Sequence, residues 1–165
     1  MTMPHADCTA EGWNDLMTIR FQRIPSPEGR LPELPRFATA GSAGADLCAN
    51  LDEPLTLEPM GRALVPTGLA MQLPDAQHGA FVFARSGLSI RHGLALSNGV
   101  GVIDSDYRGE LRVGLVNLAQ EPYTIQPGER IAQLVILPVV AFAAAEAEQL
   151  DETVRGAGGF GSTGK

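Results

Sequence analysis

Lysine is nearly missing from this 165-residue chain: it occurs once, at Lys165, so the basic residues are almost all arginine. Arginine offers a planar fork suited to bidentate phosphate recognition, although a compositional bias would give the same count. Aromatic residues are scarce at 5%, which predicts a core built from aliphatic side chains. Cysteine occurs twice, at Cys8 and Cys48, and the pair makes neither a metal-ligand pattern nor a disulfide framework. Both read as reduced thiols of a cytoplasmic protein. No apolar run approaches the roughly 20 residues that span a bilayer, and none at the N-terminus resembles a signal peptide. Positive charge is also lacking: the net charge of −7 argues against broad binding to nucleic acid or anionic membrane. A small polyanion remains possible, because a few placed arginines with a metal ion override the global field.

What the chain does have is length for one sizeable core and an ordinary hydrophobic fraction of 44%. Its 19 glycines and 12 prolines are spread along the chain and predict many turns. Residues 1–16 carry no periodicity and read as a flexible leader, 17–150 as a β domain, and 151–165 as a glycine-rich arm. TIRFQRI, from Thr18, alternates like a strand, and the prolines of PSPEGRLPELPRF forbid a long helix or central strand after it. Further strands are predicted at 45–49, 63–73, 80–84, 99–103, 110–117, 123–125 and 130–140. Turn signals separate them at intervals of about ten residues, the pattern of an all-β sandwich or barrel. Only 86–92 and the alanine-rich AFAAAEAEQL have helical character, the second by composition alone.

Five stretches carry possible chemistry. RGAGGFGSTGK, from Arg155, spells both G-x-G-x-x-G and G-x-x-x-x-G-K, yet no hydroxyl residue or helix follows Lys165 to complete a phosphate loop. It reads as a glycine-rich strip able to wrap a ligand, or plainly as a tail. NGVGVIDSDYRGELRVGLVN, from Asn98, is a β-hairpin by turn chemistry. Its Asp104 ends an apolar run, where desolvation could tune a carboxylate to act as a base, and Tyr107 and Arg108 sit beside it. In FARSGLSIRHGL, Arg85, Ser86 and Gly87 lead a strand into a short helix, which offers free N–H groups to an anion; Ser86 is equally read as a simple N-cap. In AGADL, Asp46 faces a metal-bound water or merely a turn; in PGERIAQL, Gln133 contacts a phosphate or merely solvent. His5, His78 and His92 share no metal-like spacing, and Ser86 has no Asp–His pair for a hydrolase triad.

In order and together, SAGADL, ARSGLSIRHG, NGVGVIDSDYRGEL, PGERIAQL and RGAGGFGSTG closely resemble the five motifs of the trimeric dUTP pyrophosphatase (dUTPase) family, over about Thr18 to Lys165. The resemblance implies an all-β, jelly-roll-like subunit, a homotrimer with active sites at subunit interfaces, a mobile C-terminal arm, and Mg2+-dependent cleavage of dUTP to dUMP and pyrophosphate. That reaction keeps uracil out of DNA and supplies dUMP. By resemblance, Asp104 activates the water that attacks the α-phosphorus, Asn98 reads the uracil edge, and Tyr107 packs on the sugar and excludes a 2′-hydroxyl. Arg85, Ser86, Gly87 and Gln133 hold phosphates, and Asp46 contacts the metal through water. Phe160 stacks on uracil, while Arg155, Gly161, Ser162 and Thr163 close over the phosphates. Ala84 stands where the family often has proline, and the leader has no assignable counterpart. The resemblance further implies that AFAAAEAEQL is mostly extended and travels to a neighbouring subunit. Two other functions fit the same fold: a dCTP deaminase-like or bifunctional enzyme, against which the glycine-rich arm counts, and a non-catalytic nucleotide sensor, against which Asp104, Arg85, Gln133 and Arg155 count.

Overall fold

The computed structural model describes residues 17–159; the expected leader and the arm from Phe160 onward lie outside the described residues. In chain order the elements are β1 (Arg20–Arg23), β2 (Arg36–Phe37), β3 (Ala45–Cys48), β4 (Leu55–Leu57), β5 (Arg62–Gln72), β6 (His78–Ala84), α1 (Ser86–His92), β7 (Leu94–Leu96), β8 (Gly101–Ile103), β9 (Glu110–Asn117), β10 (Tyr123–Ile125) and β11 (Arg130–Pro138). One sheet runs β1-β5-β9-β7, a second runs β2-β3-β11-β6-β8, and β10-β4 forms a ribbon. Every pairing is antiparallel, giving a jelly-roll-like all-β sandwich.

Alternation explains the layers. In β9, Leu111, Val113 and Leu115 are buried while Arg112 is exposed and Gly114 half-buried. These join Val65 and Leu69 of the same sheet and Leu47, Val82, Ile131 and Leu134 of the other in one core cluster. The largest fully buried apolar side chains are leucine, isoleucine and valine, with no aromatic among them, as the scarcity of rings predicts. Each contributes about 1.5–3 kcal/mol of burial. Two buried polar residues brace neighbouring strands and loops. Asn117 donates to the Leu57 and Glu121 carbonyls at 2.9 and 2.8 Å, and the Thr67 hydroxyl donates to the Leu111 carbonyl at 2.6 Å.

Pro66 sits inside β5, a central strand, where proline is normally excluded. The ladder with β9 slips between Pro66 and Ala70, and this irregularity accommodates it. Gly68 takes φ +67 there, and its N–H donates to Glu110 Oε1 at 2.9 Å. The bulge thereby fixes Glu110 at the end of the 104–109 loop that leads from β8 into β9. The β-hairpin expected over 98–117 is corrected here: β8 pairs with β6 and β9 with β5 and β7, so the two strands belong to different sheets and 104–109 crosses between them.

AFAAAEAEQL is non-helical and exposed. Alanine favours helix, but an isolated ten-residue helix is marginal in water without a packed face, and this segment packs none. No helix among the described residues is long and apolar enough to cross a membrane.

Candidate active site

The phosphate-side residues gather where β3, β11 and β6 lie side by side. Gln133 of β11 pairs with Asp46 of β3 on one flank and Phe83 of β6 on the other. The Asp46 carboxylate is shared by two guanidinium groups: Arg85 Nε lies 3.0 Å from Oδ1 and Arg130 Nη1 3.0 Å from Oδ2. Arg85 Nη1 also donates to the Arg130 carbonyl at 2.8 Å, which fixes the plane of its fork. Gln133 Nε2 donates to the Ala84 carbonyl at 3.0 Å. A Cβ on Gly44 would lie 2.9 Å from Gln133 Oε1, so the small residue makes room for the amide. Arg85 itself is extended and holds the cap position of α1 without a side-chain cap bond. The expectation that Ser86 serves as an N-cap is therefore corrected: Ser86 is the first helical residue, and both it and Gly87 are exposed. The chain turns from strand to helix one residue earlier than the hydroxyl.

Asp46, Arg85, Ser86, Gly87, Arg130 and Gln133 line a cavity of about 280 Å³. With two guanidinium groups against one carboxylate, this cavity is locally cationic on a chain of net charge −7. Three uncommitted kinds of donor, the rest of the Arg85 fork, the hydroxyl and the exposed start of α1, suit a polyanion.

The base-side residues lie at a seam. β7 and β8 are the edge strands of their respective sheets, and 97–100 crosses from one to the other. Asn98 on that crossover, with Asp104 and Tyr107 of the 104–109 loop, lines a cavity of about 330 Å³ between the sheets, the lower end of small-molecule site sizes. Leu96, Val82 and Leu111 form its apolar floor. The Tyr107 hydroxyl donates to the Glu110 carbonyl at 3.1 Å, folding the ring back along its own loop. Arg108 does not face the cavity chemistry but ties the turn, donating to the Ser105 and Tyr107 carbonyls at 2.8 Å. Glu110 likewise is held by Gly68 and by Arg112, whose Nε lies 2.8 Å from Oε2. The expected desolvation of Asp104 is not met in the single chain, where the residue is exposed. The apolar run before it belongs to an edge strand whose Val102 is 65% exposed, so no wall among the described residues dries the carboxylate.

The two cavities share no lining residue. Arg155 lines neither: it is exposed in the arm and donates to the Gly158 carbonyl at 2.8 Å. Phe160, Gly161, Ser162 and Thr163 lie outside the described residues. No group of three or more His, Cys, Asp or Glu among the described residues is placed to hold a metal. Cys48, two residues beyond Asp46 on β3, has its thiol pushed up in pKa by burial and by the Glu33 and Asp46 carboxylates, so it stays protonated.

Residues 32–164 match the family model described as dUTPase. The chain belongs to the dUTPase family. It is 59% identical over 135 residues to the deoxyuridine 5'-triphosphate nucleotidohydrolase of Desulfitobacterium hafniense, covering 82% of this chain and 89% of that one. Against the protein of the same description from Idiomarina loihiensis it is 53% identical over 137 residues, covering 83% and 91%. Among solved structures, a mutant dUTPase of Staphylococcus bacteriophage 80alpha with dUpNHpp aligns at TM-score 0.78 and 26% identity, over 90% of this chain and 99% of that one. A mutant dUTPase from phage phi11 of S. aureus, whose structure reveals the coordination of a structural Mg(II) ion, shares the fold at TM-score 0.70 and 23% identity, over 82% of this chain and 99% of that one.

Within this dUTPase chain, Arg130 lines the phosphate-side cavity although sequence reasoning did not single it out. Its signal was faint: it stands three residues before Gln133 in PGERIAQL, but its partner Asp46 is 84 residues away.

Proposed function

We propose that this chain is a dUTP diphosphatase, cleaving dUTP to dUMP and pyrophosphate. One observation carries the reading: within the dUTPase fold, an apolar-floored cavity with an amide, a carboxylate and a ring stands apart from a cationic cavity with two arginines, a division that suits a nucleoside and a triphosphate. Asp104 orients and deprotonates the water that attacks the α-phosphorus, and the pyrophosphate leaves. Asn98 takes the uracil edge and Tyr107 stands against the 2′ position. Arg85, Ser86, Gly87 and Gln133 hold the phosphate chain. Arg155, Phe160, Gly161, Ser162 and Thr163 belong to an arm that closes over the substrate, excluding water and aligning the reacting groups.

On this reading a complete site combines the 104–109 loop of one copy with the phosphate cavity of another, the arrangement that the family resemblance implies for a homotrimer and that two cavities without a common lining residue allow. The neighbouring copy would also supply the wall that Asp104 lacks. The donor set bears on Mg2+ as well. A resident, protein-caged ion does not fit, since the one carboxylate in the phosphate cavity is already paired with two arginines. An ion carried by the triphosphate and touching Asp46 only through water does fit, because Mg2+ keeps several waters and favours substrate phosphates. When bound, it would neutralise phosphate charge as the pyrophosphate departs.

The test is a substrate panel with Mg2+, reading pyrophosphate and ammonia together. Pyrophosphate is expected from dUTP far faster than from dCTP, dTTP or UTP. Equal rates on dUTP and UTP would remove Tyr107 from its sugar role, and ammonia from dCTP would establish a deaminase instead.

A further inference from the structure

We infer that Gly109 sets the sugar selectivity of this site by reserving the space in which the Tyr107 ring lies. The inference rests on the proposed reading of the cavity beside the 104–109 loop as the nucleoside site. A Cβ built on Gly109 would stand 2.3 Å from Tyr107 Oη, 2.6 Å from Cζ and 3.0 Å from Cε2. All three of its nearest neighbours are therefore atoms of one side chain. Ordinary carbon contacts begin near 3.5 Å, so the ring and a methyl group cannot both be there.

Gly109 is not among the described glycines with positive φ, so its backbone accepts alanine without strain. Steric exclusion by the ring is the reason for glycine at this position. Which partner yields is settled by the surroundings. Tyr107 is 46% exposed and its hydroxyl makes one hydrogen bond, to the Glu110 carbonyl at 3.1 Å. Glu110 by contrast begins β9 and is anchored through both carboxylate oxygens. A methyl group at position 109 thus swings the ring outward, breaks the bond to Glu110, and leaves the strand in place. Gly109 does not itself line the cavity, whereas Tyr107 does. It is a positioning residue, acting on the ligand only through the ring.

The experiment compares wild type, Gly109→Ala, Tyr107→Ala and the double variant by the ratio of kcat/KM for dUTP to that for UTP, with thermal melting of each. Gly109→Ala should lower the ratio by roughly tenfold or more, the scale on which a pocket discriminates small substituents, with the melting midpoint unchanged. In the Tyr107→Ala background the same change should move the ratio less than about twofold, because there is no ring left to displace. An unchanged ratio in Gly109→Ala, or an equal drop with and without the ring, overturns the inference. A wild-type protein that turns over dUTP and UTP alike removes Tyr107 from its sugar role, and the inference falls with that part of the proposed reading.

Discussion

Replacing Asp46 by asparagine removes the one anion that Arg85 and Arg130 share. The isosteric amide offers one acceptor and one donor, so it can serve a single guanidinium while turning an N–H toward the other. The two ion pairs are unequal. The side chains of Asp46 and Arg85 are 18% and 25% exposed, while that of Arg130 is 53% exposed. A charge-assisted bond in the first setting contributes about 1.5–3 kcal/mol, and a solvated pair of the second kind less than about 1 kcal/mol. Asparagine keeps the acceptor for Arg85 at reduced strength, so the net loss should be about 1–2 kcal/mol, or about 2–8 °C in melting midpoint for a chain of this size. Phosphate oxygens can replace the missing carboxylate as guanidinium partners. A non-hydrolysable dUTP analogue should therefore raise the midpoint of Asp46→Asn more than that of wild type. Differential scanning calorimetry with and without the analogue reads both effects. Arg130→Met, which touches only the solvated pair, should cost less than Asp46→Asn. Equal losses in the two variants, or a ligand shift no larger than in wild type, would refute the ranking of the pairs by burial.

Asp104→Asn should retain analogue binding within a few-fold while turnover falls by about 10²–10⁴, the usual worth of a general base; single-turnover kinetics beside a binding titration separates the two. Deleting Arg155 onward should leave the melting profile of the described sandwich intact and depress dUTP turnover strongly, measured as pyrophosphate release. Burial, then the hydrogen bond to Glu129, pushes the Tyr123 phenol up to about 12 from its ordinary 10.0. Its contribution to stability is fully present below pH 10 and is lost as pH rises toward 12. The phenolate absorbance that disappears in Tyr123→Phe should accordingly titrate near 12, and a value near 10 would contradict the buried contact.

Where a segment carried its own period, it could be read in advance. Residues 110–117 alternate cleanly and form β9 with those bounds, and Ser86–His92 forms the short helix between two strands. Leu55–Leu57, Leu94–Leu96 and Arg36–Phe37 escaped because two or three residues hold too little period to mark a strand without flanking turn signals such as those around Tyr123–Ile125, and their pairing is set by partners elsewhere in the chain. AFAAAEAEQL misleads by composition in the opposite direction, since propensity without a packed face does not hold a helix. The same distinction runs through the site. Asp46, Arg85 and Gln133 could be named from local pattern, and the structure brings them together. Arg130 and Gly109 could not, because one depends on a strand register spanning the chain and the other on which way a neighbouring ring folds.

The rung that joins Asp46 to Gln133 and Gln133 to Phe83 has a geometric consequence. Neighbouring strands stand about 4.8 Å apart, and that spacing belongs to the peptide hydrogen bond rather than to any side chain. The floor of the phosphate cavity is thus ruled in fixed steps. It can be relined by substitution, but its width cannot be tuned gradually. Nor can β11 slide by one residue, for that would turn Gln133 into the core and bring Leu134 out to meet a polyanion. Insertions in the surrounding loops leave this ruler untouched, whereas a single-residue insertion or deletion within β11 would erase it.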